Sequence, residues 1–335
     1  MNKMAFVIII PLLIVASLCG CSNGSHAGLD YENSETDSTQ TDDKTDQQIR
    51  VGFSQIENNM PWRIAETNSI KGEAEKRGIE LVITDAQSSL EKQVADVKSL
   101  VQQDVDYILL APRQERGLED ALAAAKEAGI PVILIDRWVF GVSGEDYVTF
   151  IGSDHIQEGR WVAQWLAEAT DGQANIVELR GTDGASVAIK RKEGFEEVIK
   201  SYPGMNIIAS ETANFTRSEG KKVMENLVQK YGDKITAVFA HNDEMAIGAI
   251  QAVKSIGKTP GEDIIFVSID GEKDALKAII AGELGCSVEC SPYFGPKAFE
   301  VIEKLERGEK VPNNIVNKDR IFDITNAESY IDEAF

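Results

Sequence analysis

Residues 132–138 read VILIDRW, in which four apolar residues run directly into Asp136 and Arg137. A short, continuous apolar run of this kind is typical of a strand buried on both faces of a parallel sheet. An acid and a base at the end of such a strand can form a surface ion pair, a catalytic pair or a pair of hydrogen-bonding groups for a polar ligand. Which of these applies depends on how many other strands end in the same way.

Short apolar runs alternate with amphipathic stretches of helical period along the chain from residue 49. The runs that we interpret as strands are IRVGFSQI, ELVITDA, YILLAP, PVILIDR, YVTFIGS, ANIVELRG, NIIASET, AVFAHND, IIFVSID and CSVEC. Regular alternation of strands and helices predicts doubly wound α/β layers with right-handed crossovers. Because ten strands are too many for one comfortable twisted sheet, we expect two Rossmann-like lobes.

Polar and aromatic side chains follow most of the predicted strands. They include Trp62, Arg63, Arg113, Asp136, Arg137, Arg180, Phe215, Asn242, Asp270 and Cys290. Ligands of open α/β sheets bind beyond the carboxyl ends of the strands. Planar Asp, Asn and Arg groups form paired hydrogen bonds with vicinal hydroxyls, and an aromatic face packs against the C–H surface of a sugar. The strand ends therefore predict a polyhydroxylated ligand.

The N-terminus has the features of an export signal. Lys3 precedes the apolar run AFVIIIPLLIVASL, residues 5–18, which is too short to span a membrane and has the length of a signal-peptide core. The run ends in Leu18-Cys19-Gly20-Cys21, which resembles a bacterial lipobox. That resemblance implies removal of residues 1–20 as a lipoprotein signal peptide and a lipid on Cys21. The alternative is an ordinary signal peptide that is cleaved elsewhere.

The segment after Cys21 is polar and acidic. Residues 21–48 are rich in Ser, Thr and Asp and have few apolar residues, so they cannot bury enough surface to offset the entropy of ordering. We expect a disordered, flexible tether between the lipid and the folded part. The net charge of −21 for the whole chain argues against a nucleic-acid partner, which requires a basic face.

Two cysteines remain in the folded part, Cys286 and Cys290. If both lie in one strand, their Cα atoms are about 13 Å apart, whereas a disulfide requires less than about 7 Å. We therefore expect both thiols to be free. Two cysteines alone are also too few for a structural zinc site, so no metal site is expected.

The sequence shows no recognisable catalytic arrangement. His155 and His241 have no nucleophilic Ser or Cys in a familiar setting. The stretch Gly257-Lys258-Thr259 is similar to the end of a P-loop, but Ala252 stands where the first glycine belongs. We expect no enzyme activity and no cofactor. A hydrolase that uses Asp136 and Asp270 as paired carboxylates is the enzymatic alternative.

Several stretches are familiar in this order and spacing. They are VGFSQ, WRIAETNSIKGEAEKRG, LIDR, GASVAIKRKEGF, FTRSEGKKVME, AHNDEMAIGAIQA and VSIDG. Over residues 49–325 the sequence resembles the type I periplasmic sugar-binding proteins of ABC transporters, and within that family it is most similar to the galactofuranose-binding subgroup. The resemblance implies two α/β lobes around a cleft that closes on a sugar by a hinge motion.

The resemblance also implies lobe boundaries. Three chain crossings are expected near Ile151–Ser153, Val288–Cys290 and Asn317–Phe322. The N-terminal lobe is then 49–152 plus 290–317, and the C-terminal lobe is 153–289 plus 318–335.

Ligand-binding residues carry over from the family by position. The resemblance implies that the sugar contacts Trp62, Arg63, Asp136, Arg137, Phe215, Asn242, Asp270 and Cys290, with Glu66 as a further polar contact. Helix N-caps are the alternative role for Asn242 and Asp270, and Glu66 could instead face solvent.

Three positions depart from the ribose-binding pattern. Arg63 stands where ribose binders have a second aromatic, Ile189 where they have a ligand arginine, and Cys290 where they have glutamine. These departures favour another furanose, such as galactofuranose, over ribose.

The resulting hypothesis is an extracytoplasmic, lipid-anchored, monomeric receptor that passes a monosaccharide to an ABC permease. The alternative is a sugar sensor that docks to a chemoreceptor or a histidine kinase. A repressor of the same fold is disfavoured, because repressors carry a basic helix-turn-helix where this chain has a signal sequence and an acidic segment.

Overall fold

The computed structural model describes residues 48–335, which lie in one compact unit. The predicted signal peptide, the lipidated Cys21 and the acidic tether up to residue 47 lie outside the described residues. Among the helices of the described part, none is both long enough and apolar enough to cross a membrane.

Strands and helices alternate through the described residues. The strands are β1 Arg50–Gln55, β2 Glu80–Asp85, β3 Tyr107–Leu110, β4 Val132–Ile135, β5 Thr149–Gly152, β6 Gln173–Arg180, β7 Gly204–Thr212, β8 Ala237–Ala240, β9 Ile265–Asp270, β10 Cys286–Glu289, β11 Asn314–Val316 and β12 Ile321–Asp323. The helices are α1 Pro61–Arg77, α2 Leu90–Gln102, α3 Glu119–Glu127, α4 His155–Ala169, α5 Ser186–Ile199, α6 Arg217–Tyr231, α7 Asp243–Ser255, α8 Lys273–Ile280, α9 Gly295–Glu306 and α10 Ala327–Tyr330.

The strands form two six-stranded sheets. The first sheet has the order β11-β5-β4-β3-β1-β2, and all its neighbouring strands are parallel. The second has the order β12-β10-β9-β8-β6-β7 and is parallel except for β12, which runs antiparallel to β10. The predicted α/β fold with two doubly wound lobes is confirmed.

The central strands are buried, as their apolar runs predict. All four residues of β4 are buried, and so are those of β3 and β8. Each fully buried Leu, Ile, Val or Phe side chain contributes about 1.5–3 kcal/mol, so these runs stabilise both sheets. All ten predicted strands are present. The three-residue strands β11 and β12 were not predicted, because neither has an apolar run of its own.

The chain passes between the two sheets at three places within residues 48–335. The first passage follows β5, the second joins β10 to α9, and the third joins β11 to β12. Helix α9 packs against α1 of the first sheet. Both cysteines are buried and free, as predicted.

Candidate functional site

A small cavity of about 30 Å³ lies where the carboxyl ends of the strands of both sheets meet. Its walls are formed by Met60, Trp62, Arg63, Asp136, Arg137, Val187, Arg191, Phe215, Asn242, Asp270 and Cys290. Eight of the nine residues that the sequence assigned to the ligand are among them. The ninth, Glu66, does not line this cavity, which we call the cleft.

The end of β4 places two charged side chains in the cleft. Asp136 adopts a left-handed backbone conformation with a φ of 65°, which Asp tolerates better than most residues. The Arg137 N–H donates to the Ile135 carbonyl at 2.7 Å, which makes the turn tight. Arg137 Nε lies 3.3 Å from Asp136 Oδ2 without forming a hydrogen bond, so the two side chains form an ion pair that is not reinforced by a hydrogen bond.

The partner of Asp136 comes instead from helix α1. Arg63 donates from Nη2 to Asp136 Oδ2 at 2.5 Å and from Nη1 to Glu66 Oε2 at 2.8 Å. Glu66 is fully buried and also accepts a hydrogen bond from Gln55. Glu66 therefore lies behind Arg63 and holds its guanidinium in place, rather than facing the cleft as a polar contact.

Trp62 joins helix α1 to the second passage between the sheets. Its Nε1 donates to the Cys290 carbonyl at 2.8 Å, and its ring packs against Phe294 with centroids 5.9 Å apart. The Arg63 guanidinium lies 4.5 Å from the centroid of the same ring. Trp62 is thus fixed by a hydrogen bond as well as by packing, which suits a rigid wall of a binding site.

Phe215 forms the opposite apolar wall. Its backbone φ is 62°, and its ring lies 5.3 Å from the Arg137 guanidinium. The ring packs over Gly181, where an added Cβ would lie 1.9 Å from Phe215 Cζ. Any other residue at position 181 would clash with the ring and displace it.

Asn242 and Asp270 differ in role. Asn242 is the N-cap of α7: its Oδ1 accepts from the Met245 N–H at 3.1 Å, and its Nδ2 donates to the Phe215 carbonyl. The N-cap alternative is therefore correct for Asn242, although the residue also lines the cleft. Asp270 caps no helix and accepts a hydrogen bond from Arg191 Nη2 at 3.2 Å.

The comparisons with known proteins agree with this geometry. The model of the periplasmic binding protein domain family matches residues 51–310. This chain belongs to that family. The galactofuranose-binding protein YtfQ of Escherichia coli (strain K12) is 46% identical over 270 residues, which are 80% of this chain and 85% of YtfQ.

Two solved structures are similar over most of this periplasmic binding protein. One is the crystal structure of a galactofuranose binding protein, with a TM-score of 0.83 and 44% identity over 85% of this chain and 98% of that one. The other is the binding protein of the arabinose ABC transporter from Shewanella sp. ANA-3 bound to α- and β-L-arabinofuranose. Its TM-score is 0.82, with 41% identity over 85% of this chain and 95% of that one. All three relatives are binding proteins and not enzymes, in agreement with the sequence.

Arg191 is the main residue of the cleft that the sequence interpretation missed. It is only 2% exposed and donates from Nε to Glu158 Oε2 at 2.8 Å, from Nη1 to the His241 carbonyl at 2.5 Å and from Nη2 to Asp270. Ile189 is one of the three positions at which the sequence departs from the ribose-binding pattern. It is 47% exposed and does not line the cleft, so this departure does not bear on which sugar binds. The missed signal was the spacing of Val187, Arg191 and Phe195, which puts an arginine on the buried stripe of α5.

Two glycines allow Arg191 to lie this deep. An added Cβ at Gly159 in α4 would lie 2.1 Å from the Arg191 carbonyl oxygen, and one at Gly194 in α5 would lie 2.0 Å from the Ile156 carbonyl oxygen. The backbones of α4 and α5 can approach closely only because both positions lack a side chain.

Burial and neighbouring charges separate the pKa values of the two cleft carboxyls. Burial raises the pKa of Asp270 well above its usual range, since Arg191 offsets burial only in part. Burial acts the same way on Asp136, but Arg63 and Arg137 outweigh it and lower the Asp136 pKa. Burial, with the nearby charge of Arg63, lowers the Arg137 pKa to about 10. At neutral pH the cleft therefore holds an ionised acceptor at Asp136 and a charged donor at Arg137.

Proposed function

We propose that the chain captures a furanose sugar in the cleft and delivers it to an ABC permease. The supporting observation is the meeting of five planar polar side chains from both sheets with two aromatic walls. The polar groups are Asp136, Arg137, Arg191, Asn242 and Asp270, and the aromatic walls are Trp62 and Phe215.

The polar groups match the hydroxyls of a monosaccharide. Each hydroxyl can donate one hydrogen bond and accept others, so a site with both charged donors and carboxyl acceptors satisfies it fully. Asp136 and Arg137 supply an acceptor and donors side by side at one strand end. The aromatic faces cover the C–H surface of the ring. The names of the related galactofuranose-binding proteins, and the arabinofuranose bound to the Shewanella protein, favour a five-membered ring.

Sugar entry requires the two lobes to separate. A cavity of about 30 Å³ holds roughly two waters, which is much less than a monosaccharide. The proposed lobes are 49–152 plus 290–317 and 153–289 plus 318–335, and the three passages between the sheets are their hinge. Closure around a sugar then removes water from the charged groups, whose hydrogen bonds the sugar hydroxyls must satisfy.

The cellular setting follows from the N-terminal sequence. We propose that residues 1–20 are removed, that Cys21 carries the lipid, and that the chain works as a monomer on the outer side of the membrane. Replacement of Cys21 by Ser is expected to release the protein from the membrane fraction and to abolish incorporation of radioactive palmitate. Continued membrane attachment and labelling of the variant would contradict the lipid anchor without affecting the sugar proposal.

Calorimetric titration with a sugar panel tests the ligand. The panel contains galactose, ribose, arabinose, fructose and a fixed furanoside, and the protein is first stripped of bound sugar by unfolding and refolding. Tight binding of galactose at an apparent stoichiometry well above one sugar per protein is expected, because only its minor furanose form fits and most of the added sugar cannot bind. Absence of heat across the panel would overturn the furanose proposal and leave the family assignment in place.

A further inference from the structure

Three buried side chains that can bind a metal meet at the edge of the cleft nearest the passages between the sheets. A carboxylate oxygen of Asp136, a ring nitrogen of His155 and the Cys290 Sγ all lie within 4.8 Å of one another. They come from three separate parts of the chain: the end of β4, the first turn of α4 and the residue after β10. No sequence spacing could have linked them, which is why the count of two cysteines predicted no metal site.

The environment of His155 is the strongest indication that this cluster binds a metal. It is 1% exposed, and among the described residues neither ring nitrogen has a hydrogen-bond partner. A buried polar group without a hydrogen-bond partner destabilises the fold, so an imidazole with two such atoms is suited to binding a ligand. The ring of Phe150 meets the imidazole edge-on, with the centroids 6.5 Å apart.

Asp136 and Cys290 each offer an atom that can bind a metal. Both hydrogen-bonding and charge contacts of Asp136 with arginines go to Oδ2, which leaves Oδ1 for another partner. The Cys290 thiol is free, and the charges that act on it most are those of Glu158, Arg191, Asp270 and Asp136, of which three are carboxyls. Such surroundings disfavour a lone thiolate but favour a cation beside the sulfur.

We propose that Asp136, His155 and Cys290 form a binding site for a borderline-soft divalent metal, best represented by Zn²⁺, and that metal and sugar exclude one another. One sulfur, one imidazole nitrogen and one carboxylate oxygen are the ligand types that zinc prefers, and three protein ligands leave a fourth position open. Zinc bonds of about 2.0–2.3 Å require the three atoms to draw slightly closer than 4.8 Å. Asp136 follows β4 in the proposed N-terminal lobe and His155 begins α4 in the proposed C-terminal lobe, so a small closure of the hinge would bring their ligand atoms together.

The charge balance of the surroundings accommodates the metal. Four carboxyls and three guanidinium groups lie around the site: Glu66, Asp136, Glu158, Asp270, Arg63, Arg137 and Arg191. A zinc ion that displaces the thiol proton of Cys290 adds one net positive charge, and the carboxyls of Glu158 and Asp270 beside the thiol can accommodate it. Glu158 Oε1, one turn beyond His155, is also buried without a partner among the described residues. The charge of Glu158 acts on the His155 imidazole, and we expect Glu158 to accept the second ring N–H once a metal holds the other nitrogen, as carboxylates commonly do behind metal-bound histidines.

Titration of the purified, chelator-treated protein with Zn²⁺, and separately with Co²⁺ as a spectroscopic probe, tests the site. One equivalent is expected to bind, with release of a proton and with a cobalt–thiolate absorption band in the near ultraviolet. C290S and H155Q should each weaken Zn²⁺ binding by at least about 10-fold, and C290S should also abolish the band. C286S is the matched control, because Cys286 is equally buried four residues away but lies outside the cluster, and it should behave like the parent protein.

Competition with galactose tests the exclusion, which alone rests on the proposed function. Zn²⁺ should raise the apparent dissociation constant of galactose linearly with the free zinc concentration, and galactose should raise that of Zn²⁺ linearly with the free galactose concentration, as reciprocal exclusion requires. H155Q should bind galactose as the parent does, since His155 does not line the cleft, but should lose the effect of zinc. A thiolate band that persists in C290S, or Zn²⁺ affinity unchanged in both variants, would overturn the metal site. Failure of galactose to bind the metal-free parent would count against the sugar proposal only.

Discussion

At the scale of single residues, the contacts of Asp136 and Arg137 indicate which role the acid and the base after the strand VILI have. Arg63, rather than Arg137, forms the close ion pair with Asp136. Within residues 48–335 the Arg137 guanidinium donates from Nη1 to the Arg113 carbonyl at 3.0 Å, and its Nε has no hydrogen-bond partner there. A guanidinium held in a cleft with donors to spare is suited to binding hydroxyls.

We expect Arg137→Ala to weaken sugar binding by at least about 10–100-fold, because each hydrogen bond from a charged donor contributes about 1.5–3 kcal/mol. Calorimetric titration measures the change. Arg113→Ala is the matched control: it removes a neighbouring guanidinium that does not line the cleft and keeps the carbonyl that Arg137 uses. Equal affinity in the two variants would show that the sugar does not contact Arg137.

Phe215 permits a similar comparison for the apolar wall. Phe215→Ala removes the aromatic face and is expected to weaken sugar binding by about 1–3 kcal/mol, through lost stacking and lost apolar contact. Phe140→Ala should leave binding unchanged, because Phe140 is 56% exposed and lies away from the cleft. If the dissociation constant of the Phe215 variant matched that of the parent, Phe215 would be a packing residue only.

At the scale of elements, the contact between α4 and α5 sets the position of Arg191. We expect Gly159→Ala to destabilise the fold by about 1–3 kcal/mol, since the added methyl overpacks a tight backbone contact. The same change should weaken sugar binding by displacing Arg191. Chemical denaturation and calorimetry measure the two effects.

Gly72→Ala in α1 serves as the control for that substitution. An added Cβ at Gly72 meets no atom within 4 Å, so the change should stabilise the protein by about 0.5–1 kcal/mol through the unfolded chain. If both glycine variants had the same stability, the close approach of α4 to α5 would not be needed for the fold.

An element can be predicted from sequence when its own residues determine it, and not when distant residues do. The buried strands are determined by their own apolar residues, so all ten strands and the polar groups that follow them were predicted. β11 and β12 have only three residues each and owe their pairing to β5 and β10. Arg191 owes its position to glycines in α4 and α5, and the cluster at His155 combines three distant segments. Tertiary contacts of this kind leave no local pattern.

At the scale of the whole molecule, the passage from β11 to β12 contains a carboxyl that favours its neutral form. Burial, with a smaller contribution from the charge of Glu158, raises the pKa of Asp319 to about 7 from an ordinary value of 3.8. Its Oδ1 has no hydrogen-bond partner among the described residues. Between about pH 4 and pH 7 the folded protein therefore holds a proton that the unfolded chain has released.

That proton makes the free energy of unfolding fall as the pH rises through this window. We expect Asp319→Asn, which stays neutral, to remove this part of the decline. The variant should match the parent near pH 4 and exceed its stability by roughly 2–4 kcal/mol near pH 7.5. Urea denaturation at a series of pH values measures the difference in the free energy of unfolding between variant and parent. The other buried carboxyls are common to both proteins, so their contributions cancel in this difference. Asp332→Asn, at an exposed position near the C-terminus, controls for the loss of one negative charge and should give no such pH-dependent gain. A constant difference between the Asp319 variant and the parent from pH 4 to pH 7.5 would mean that the Asp319 carboxyl ionises in the folded protein as easily as in the unfolded chain.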